Sequence, residues 1–263
     1  MPILKPVRSG SARYGSLDVV PRDEFIASFG ERYNVSQRLT MIGPPGRGKT
    51  RLGLQLLSVC ISPKCKAVVL HGKIRGRDSM IPVAAKNLNL RVVSEWPPSW
   101  RPGDKNRNGW LLVPLETPGD TTREENATLR KEFAAAIHDN YHTSADKPRI
   151  TVIDESHQAQ HEMKLKEDIE APMMRGRPDN SVWNFIQRGR YVSYHCYEVE
   201  HVIVFYDSDT DNQRRYAEIG DVDPQEIRYL TERLERRQIK SGEIISDALY
   251  MGRDGTMCII GMD

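Results

Sequence analysis

Gly43-Pro44-Pro45-Gly46-Arg47-Gly48-Lys49-Thr50 fits the pattern GxxxxGK[ST] at every specified position, and no other feature of the chain restricts its fold as much. Such a loop closes main-chain N–H groups around phosphate oxygens, so side chains must be small or absent where the backbone turns back on itself. The flanks agree with that role. The apolar run Arg38–Ile42 predicts a strand entering the loop. Leucines at 52, 54, 56 and 57 predict a helix over Thr50–Cys60 leaving it, with its N-terminal donors and positive dipole end turned to the same anion. A chance Gly/Pro turn before Lys-Thr would lack both flanks. The expected binding segment is Gly43, Pro44, Pro45, Gly46, Arg47, Gly48, Lys49 and Thr50 with the adjoining Arg51. Lys49 adds a point charge at the β/γ-phosphates of ATP, and the Thr50 hydroxyl takes a coordination site on Mg²⁺.

A second strand, Arg149–Ile153, ends in Asp154-Glu155. Carboxylates at the C-terminal end of a buried strand stand where open α/β sheets place their ligands. Asp154 is the expected metal residue, and Glu155 is the expected catalytic group that orients the attacking water. A solvated Asp-Glu at a strand end is the bland alternative, and the glycine-rich loop upstream argues against it. His157 and His161 stand four apart, but the HExxH order is absent and no third ligand is evident, so they read as surface or supporting histidines rather than a zinc site.

The rest of the chain alternates strands and helices. Lys66–Leu70 reads as a buried strand, Pro21–Tyr33 and Arg123–Tyr141 as helices, and Leu249–Met251 with Thr256–Ile260 as a C-terminal β-hairpin turning at Asp254-Gly255. The fold class is therefore α/β, a mainly parallel central sheet with helices on both faces. Residues 1–34 are expected to form an N-terminal arm and short helix, and residues 35–263 the nucleotide-binding domain. Trp96–Gly109 reads as a long surface excursion, and Glu232–Arg237 as a charged helix carrying Arg233, Arg236 and Arg237. A net charge of +2 does not announce a nucleic-acid binder. Four cysteines without CxxC spacing read as reduced thiols of a cytoplasmic protein. No run approaches the roughly 18 apolar residues of a membrane helix, so no membrane insertion is expected.

The loop, Lys66–Leu70 with Lys73, Trp96-Pro97-Pro98, Asp154-Glu155-Ser156-His157 and Arg188-Gly189-Arg190 together resemble the HerA–FtsK group of DNA-pumping ATPases, particularly small FtsK-like proteins of phages and mobile elements. The resemblance implies a RecA-like core, a homo-hexameric ring with ATP at subunit interfaces, and translocation of double-stranded DNA. It further implies a genome-packaging or DNA-transfer role beside a capsid portal or transfer machinery, in the host cytoplasm if the protein is viral. Such rings supply an arginine from the neighbouring subunit. Arg190 is the first candidate, with Arg188, Arg214 and Arg215 behind it. Arg75, Arg77, Arg101 to Arg107, Arg175 and Arg177 are candidates for a DNA channel. Family members also end the strand after the acidic pair in a polar sensor, often Thr-Gln. Arg190–Tyr197 occupies that place and no glutamine follows; Ser193 or His195 is the candidate stand-in, and residues 191–206 read as one long strand, a tight antiparallel hairpin, or a core that has lost an element. Only Glu198-Val199-Glu200 then precede His201–Phe205, too few residues for a parallel crossover. That shortage keeps open the alternative of a nucleotide-binding scaffold with weak or no hydrolysis; a second alternative is an AAA-type protein-remodelling ATPase, against which the C-terminus reads as a hairpin and not a helical lid.

Overall fold

The structure is a computed structural model and describes residues 14–72, 80–115, 121–142, 147–175, 179–187, 189, 192–239 and 244–262. In chain order the first half runs β1 (Val19–Pro21), α1 (Arg22–Arg32), β2 (Leu39–Ile42), α2 (Lys49–Cys60), β3 (Lys66–Leu70), α3 (Met80–Asn87), β4 (Leu90–Val93), β5 (Gly109–Leu112) and α4 (Thr122–His142). The second half runs β6 (Arg149–Ile153), α5 (Ser156–His161), α6 (Lys166–Arg175), β7 (Asn180–Ile186), β8 (His201–Val204), α7 (Thr210–Gly220), α8 (Pro224–Thr231), β9 (Arg236–Gln238), β10 (Ile244–Ser246), β11 (Ala248–Gly252) and β12 (Met257–Gly261).

Ten of these strands form one sheet in the order β1-β12-β11-β8-β2-β7-β6-β3-β5-β4. From β8 to β4 every neighbouring pair is parallel. The hairpin β11–β12 then adds antiparallel to β8, and β1 lies parallel to β12 at the far edge. The α/β class and the C-terminal hairpin are thus as the sequence implies. Alternation along the strands divides the core in two. Ala67 and Val69 of β3 face Phe25 and Phe29 of α1 and Leu52 and Leu56 of α2. Val68 and Leu70 face the other way, toward Phe133 and Ile137 of α4, Ile169 of α6 and Ile227 of α8. A sheet buried on both faces needs apolar residues at successive positions, which is why its parallel strands read as unbroken apolar runs. Gly53 lets α2 lie directly on β7, since a Cβ there would sit 2.1 Å from the Phe185 ring.

Two local readings change. Val192–Tyr197 is no strand: Ser193 caps a 3₁₀ turn at Tyr194–Cys196, and the chain reaches β8 from there. Arg236 and Arg237 lie in β9, paired antiparallel with β10, and α8 has already ended at Thr231. Hairpin pairing with β10 overrides the helical charge pattern there.

At the start of β8, Arg38 Nη2 lies 2.7 Å from Glu200 Oε1, and the Arg38 main-chain N–H donates to the same carboxylate at 2.8 Å. Burial alone would raise the Glu200 pKa, but the Arg38 contacts prevail and hold it below the usual glutamate value. The next residue, His201, packs edge-on to Phe29 at 5.0 Å, with Nδ1 2.8 Å from the Tyr250 hydroxyl and Nε2 3.2 Å from Gln37 Oε1. Burial pushes its imidazole down from 6.5 to about 4, against the pull of Glu200 and Asp254. The unfolded chain therefore takes up a proton between pH 6.5 and 4 that the folded chain refuses, so stability falls as the pH falls through that window. The loss expected across it is up to about 3 kcal/mol. Urea unfolding at pH 7, 5.5 and 4.5 checks this, with His201→Gln expected to flatten the slope; parallel curves for the two proteins would remove His201 as its source.

Candidate nucleotide site

β2 lies between β8 and β7, and its last residue, Ile42, stands opposite Ile186 and Val204. The glycine-rich loop therefore leaves the sheet at the C-terminal ends of three parallel strands. Gly43 N–H donates to Ile186 O at 3.1 Å and so fixes the first turn of the loop to β7. Gly43 has φ 154°, and a Cβ there would meet Phe205 Cβ at 2.7 Å. At the other end Gly48, at φ 81°, starts α2 without a side-chain cap, and the first turn of α2 holds no acidic residue. The orphan N–H groups of that turn and its dipole face an anion position. Lys49 folds back over the loop, its Nζ donating to Gly43 O at 2.5 Å and Pro44 O at 3.0 Å. Two carbonyls thus hold a buried ammonium at the mouth of the cradle.

Thr50 points the other way, its Oγ1 3.4 Å from Asp154 Oδ1. Asp154 follows β6, its N–H bonded to Leu70 O at 3.0 Å. Its second oxygen, Oδ2, lies 2.8 Å from Nδ1 of His71, which follows β3. Both side chains are buried, so His71 fixes the carboxylate and leaves Oδ1 turned to Thr50. Glu155 takes the left-handed conformation, φ 58° and ψ 49°, at the start of α5. A non-glycine residue there costs roughly 1 kcal/mol or more, and such strain gathers at functional sites. Its Oε1 accepts from Gln187 Nε2 at 2.9 Å.

Gln187 is the residue that sequence reasoning missed. The strand beside β6 is β7, not Tyr191–Tyr197, and Gln187 stands just past its end. Ser193 and His195 lie on the turn instead: Ser193 Oγ binds Glu170, and His195 Nδ1 lies 2.8 Å from Glu198. An apolar heptapeptide ending in glutamine was the available signal, blurred by the polar Ser181 and Asn184 within it. Pro44 and Gln187 also line an open polar cleft of about 390 Å³ whose far wall is Tyr206, Asp207, Ser208, Asp209 and Asn212.

The other expected residues are placed as follows. Pro45 and Gly46 are exposed at the loop tip, and Arg51 is half-buried on α2. The Arg47 guanidinium lies over the Tyr206 ring at 4.3 Å, and burial with nearby Arg236 lowers its pKa. Arg188 and Arg190 lie outside the described residues, as do Lys73, Arg75, Arg77 and Arg177. Arg214 is exposed and lies 3.7 Å from Asp211, while Arg215 lies over Tyr197 and donates to Gly189 O at 3.4 Å. His157 and His161 sit on α5, and no metal-binding cluster of His, Cys, Asp or Glu exists among the described residues.

The sheet order, the glycine cradle and the carboxylate facing it define the fold of a P-loop nucleoside triphosphatase. No family model matches the chain, and no curated protein matches it in sequence. Solved structures do match in fold. The genome packaging NTPase B204 from Sulfolobus turreted icosahedral virus 2, in complex with AMPPCP, aligns over 88% of this chain and 100% of that one, with TM-score 0.54 and 12% identity. Its sulfate complex aligns over 88% and 98%, with TM-score 0.54 and 13% identity. At such identity the likeness is one of fold.

Gly43→Ala must place a Cβ against Phe205 Cβ at 2.7 Å while keeping φ 154°. The expected cost is about 1–3 kcal/mol of stability, together with weaker nucleotide binding. Thermal unfolding and titration with a fluorescent ATP analogue measure both; a variant that melts like the wild type would show the close approach to be immaterial.

Proposed function

We propose that this chain is an ATP-hydrolysing motor of the HerA–FtsK type that moves double-stranded DNA, in genome packaging or DNA transfer. One observation carries the catalytic part: across the end of β7, Thr50 faces Asp154 at 3.4 Å while Gln187 holds Glu155 at 2.9 Å. The hydroxyl and carboxylate oxygens of Thr50 and Asp154 are the hard donors that Mg²⁺ takes, and a bound Mg²⁺ would neutralise charge on the β/γ-phosphates. Residues Gly43 to Thr50 with Arg51 cradle the triphosphate in this reading, and Lys49 turns its ammonium from the loop carbonyls to the γ-phosphate. Glu155, oriented by Gln187, aligns the attacking water and accepts its proton. Arg190 from a neighbouring copy is proposed to meet the γ-phosphate, in a hexameric ring that serves a portal or transfer machine.

The fold shared with a viral genome packaging NTPase supports the DNA-moving part. The scaffold alternative rested on a missing sheet element between β6 and β8, and β7 with Gln187 supplies one. Among the described residues no helix is long and apolar enough to cross a membrane; a cytoplasmic site of action is part of the proposal. The proposed ATPase domain is residues 35–263. The described part of the preceding arm, 14–34, binds to it through β1 on β12 and α1 on α2.

Lys49→Ala is expected to weaken ATP binding by tenfold or more without lowering the melting temperature, read by calorimetric titration and circular dichroism. Unchanged affinity would refute the loop assignment. Glu155→Gln is expected to keep ATP binding and lower kcat by about 10²–10⁴. Turnover of the wild type should rise on adding linear duplex DNA. Turnover indifferent to DNA would defeat the translocase reading and leave an ATPase of another kind; tight binding with no turnover by the wild type would leave the scaffold.

A further inference from the structure

The segment between β4 and β5 carries the most exposed large apolar side chain among the described residues, Trp100, at 73%. Around it Arg101, Lys105 and Arg107 are exposed as well. The acid of this stretch, Asp104, is buried and committed inward: its Oδ2 accepts from Arg91 Nη1 at 2.7 Å and from Arg101 N–H at 2.9 Å. The surface turned outward is therefore an indole set among cations, with no exposed carboxylate between Ser99 and Arg107.

The segment is also built rather than loose. Arg91 Nη1 donates to Ser99 O at 2.8 Å, immediately before the tryptophan. A 3₁₀ turn at Pro102–Asn106 is closed by Asp104 N–H to Arg101 O at 2.9 Å and Arg107 N–H to Asp104 O at 3.2 Å. Asn89 Nδ2 donates to Asn106 O at 2.9 Å, and Arg107 Nη1 returns to Asn89 Oδ1 at 2.8 Å. These anchors, with Lys66 Nζ on Asp104 O, belong to the starts of β3 and β4. They lie at the N-terminal edge of the parallel strands. The glycine-rich loop, Asp154 and Gln187 all lie at the C-terminal edge.

From this arrangement we propose that Trp100, Arg101 and Lys105 form a second binding surface, one for single-stranded nucleic acid. A flat aromatic face with cations beside it meets the two recurring needs of that ligand, a platform for an unpaired base and charge for the phosphates on either side. A duplex hides its base faces by stacking, so Trp100 selects the single strand. Charge decides for a polyanion over a protein: Arg101, Lys105 and Arg107 are exposed, and the one acid of the segment, Asp104, is buried. Holding the segment in place beforehand removes part of the ordering cost of association. The surface stands at the sheet edge opposite the nucleotide site and does not depend on hydrolysis there.

The test uses the whole protein without nucleotide and a fluorescent dT oligonucleotide, followed by anisotropy and by intrinsic tryptophan fluorescence. Trp96 and Trp183 are buried, and Trp110 is half-buried with Lys66 and Arg149 over its ring, so Trp100 is the indole a base can reach. Binding should quench tryptophan emission and weaken as salt rises. Trp100→Ala should lower affinity about tenfold, abolish the quench and leave the salt slope unchanged. Arg101→Ala with Lys105→Ala should instead reduce that slope, by about 1.4 for two phosphates on a single strand. Absence of binding at low salt, equal competition by duplex DNA, or unchanged affinity in Trp100→Ala would overturn the proposal. So would a Trp100→Ala variant that loses self-association in sedimentation while binding the oligonucleotide as before. ATP binding by Trp100→Ala should match the wild type, so the two sites fail or stand separately.

Discussion

The main-chain register of β2, β7 and β6 is the constraint on which the site depends. Ile42 stands opposite Ile186, and Ile153 opposite Asn184, so the three strands bring Gly43, Gln187 and Asp154 to neighbouring places on one sheet edge. No side chain has to reach far. The hydroxyl of Thr50 and the carboxylate of Asp154 approach because β7 alone separates the strands that deliver them. Backbone hydrogen bonds do the positioning, and short rigid side chains finish it.

Buried polar side chains at this edge are held by pairing. Asp154 and His71 are both buried and face each other, so neither meets an apolar wall alone. At the opposite edge Arg38 and Glu200 tie the starts of β2 and β8 together in the same manner. Buried ions are tolerated where a partner and further hydrogen bonds replace the lost water, and removing one partner is costlier than never having had the pair. The start of β2 is thus tied to β8, and the ends of β3 and β6 to each other, by groups that a purely apolar sheet would not contain.

What was legible in the sequence was whatever local chemistry dictates. Gly43, Gly46 and Gly48 at positive φ are demands of the loop itself, and the leucines of α2 and the apolar run of β6 declare their periods without help. β7 was hidden because its buried face is partly polar. Ser181 and Asn184 are almost fully buried, yet they are satisfied at a distance in sequence: Ser181 Oγ binds Gln37 O, and Asn184 Oδ1 accepts from Ser156 Oγ at 3.0 Å. A reader of local pattern sees polar residues and no strand. Tyr191–Tyr197 misled in the opposite sense, since its aromatic and β-branched residues suit a strand while Ser193 caps a turn. Arg236 and Arg237 likewise owe their extended form to pairing with Ile244–Ser246, which their helix-like spacing of charges does not announce.

The bond from Gly43 N–H to Ile186 O has a mechanical meaning. The residue after Ile186 is Gln187, which donates to Glu155, so a single peptide unit at the end of β7 touches the glycine-rich loop on one side and leads to the Glu155 carboxylate on the other. Both hydrogen bonds, Gly43 N–H to Ile186 O and Gln187 Nε2 to Glu155 Oε1, are therefore referred to the same stretch of strand. The two halves of the site are geared to one rod, and whatever pushes on β7 sets both at once.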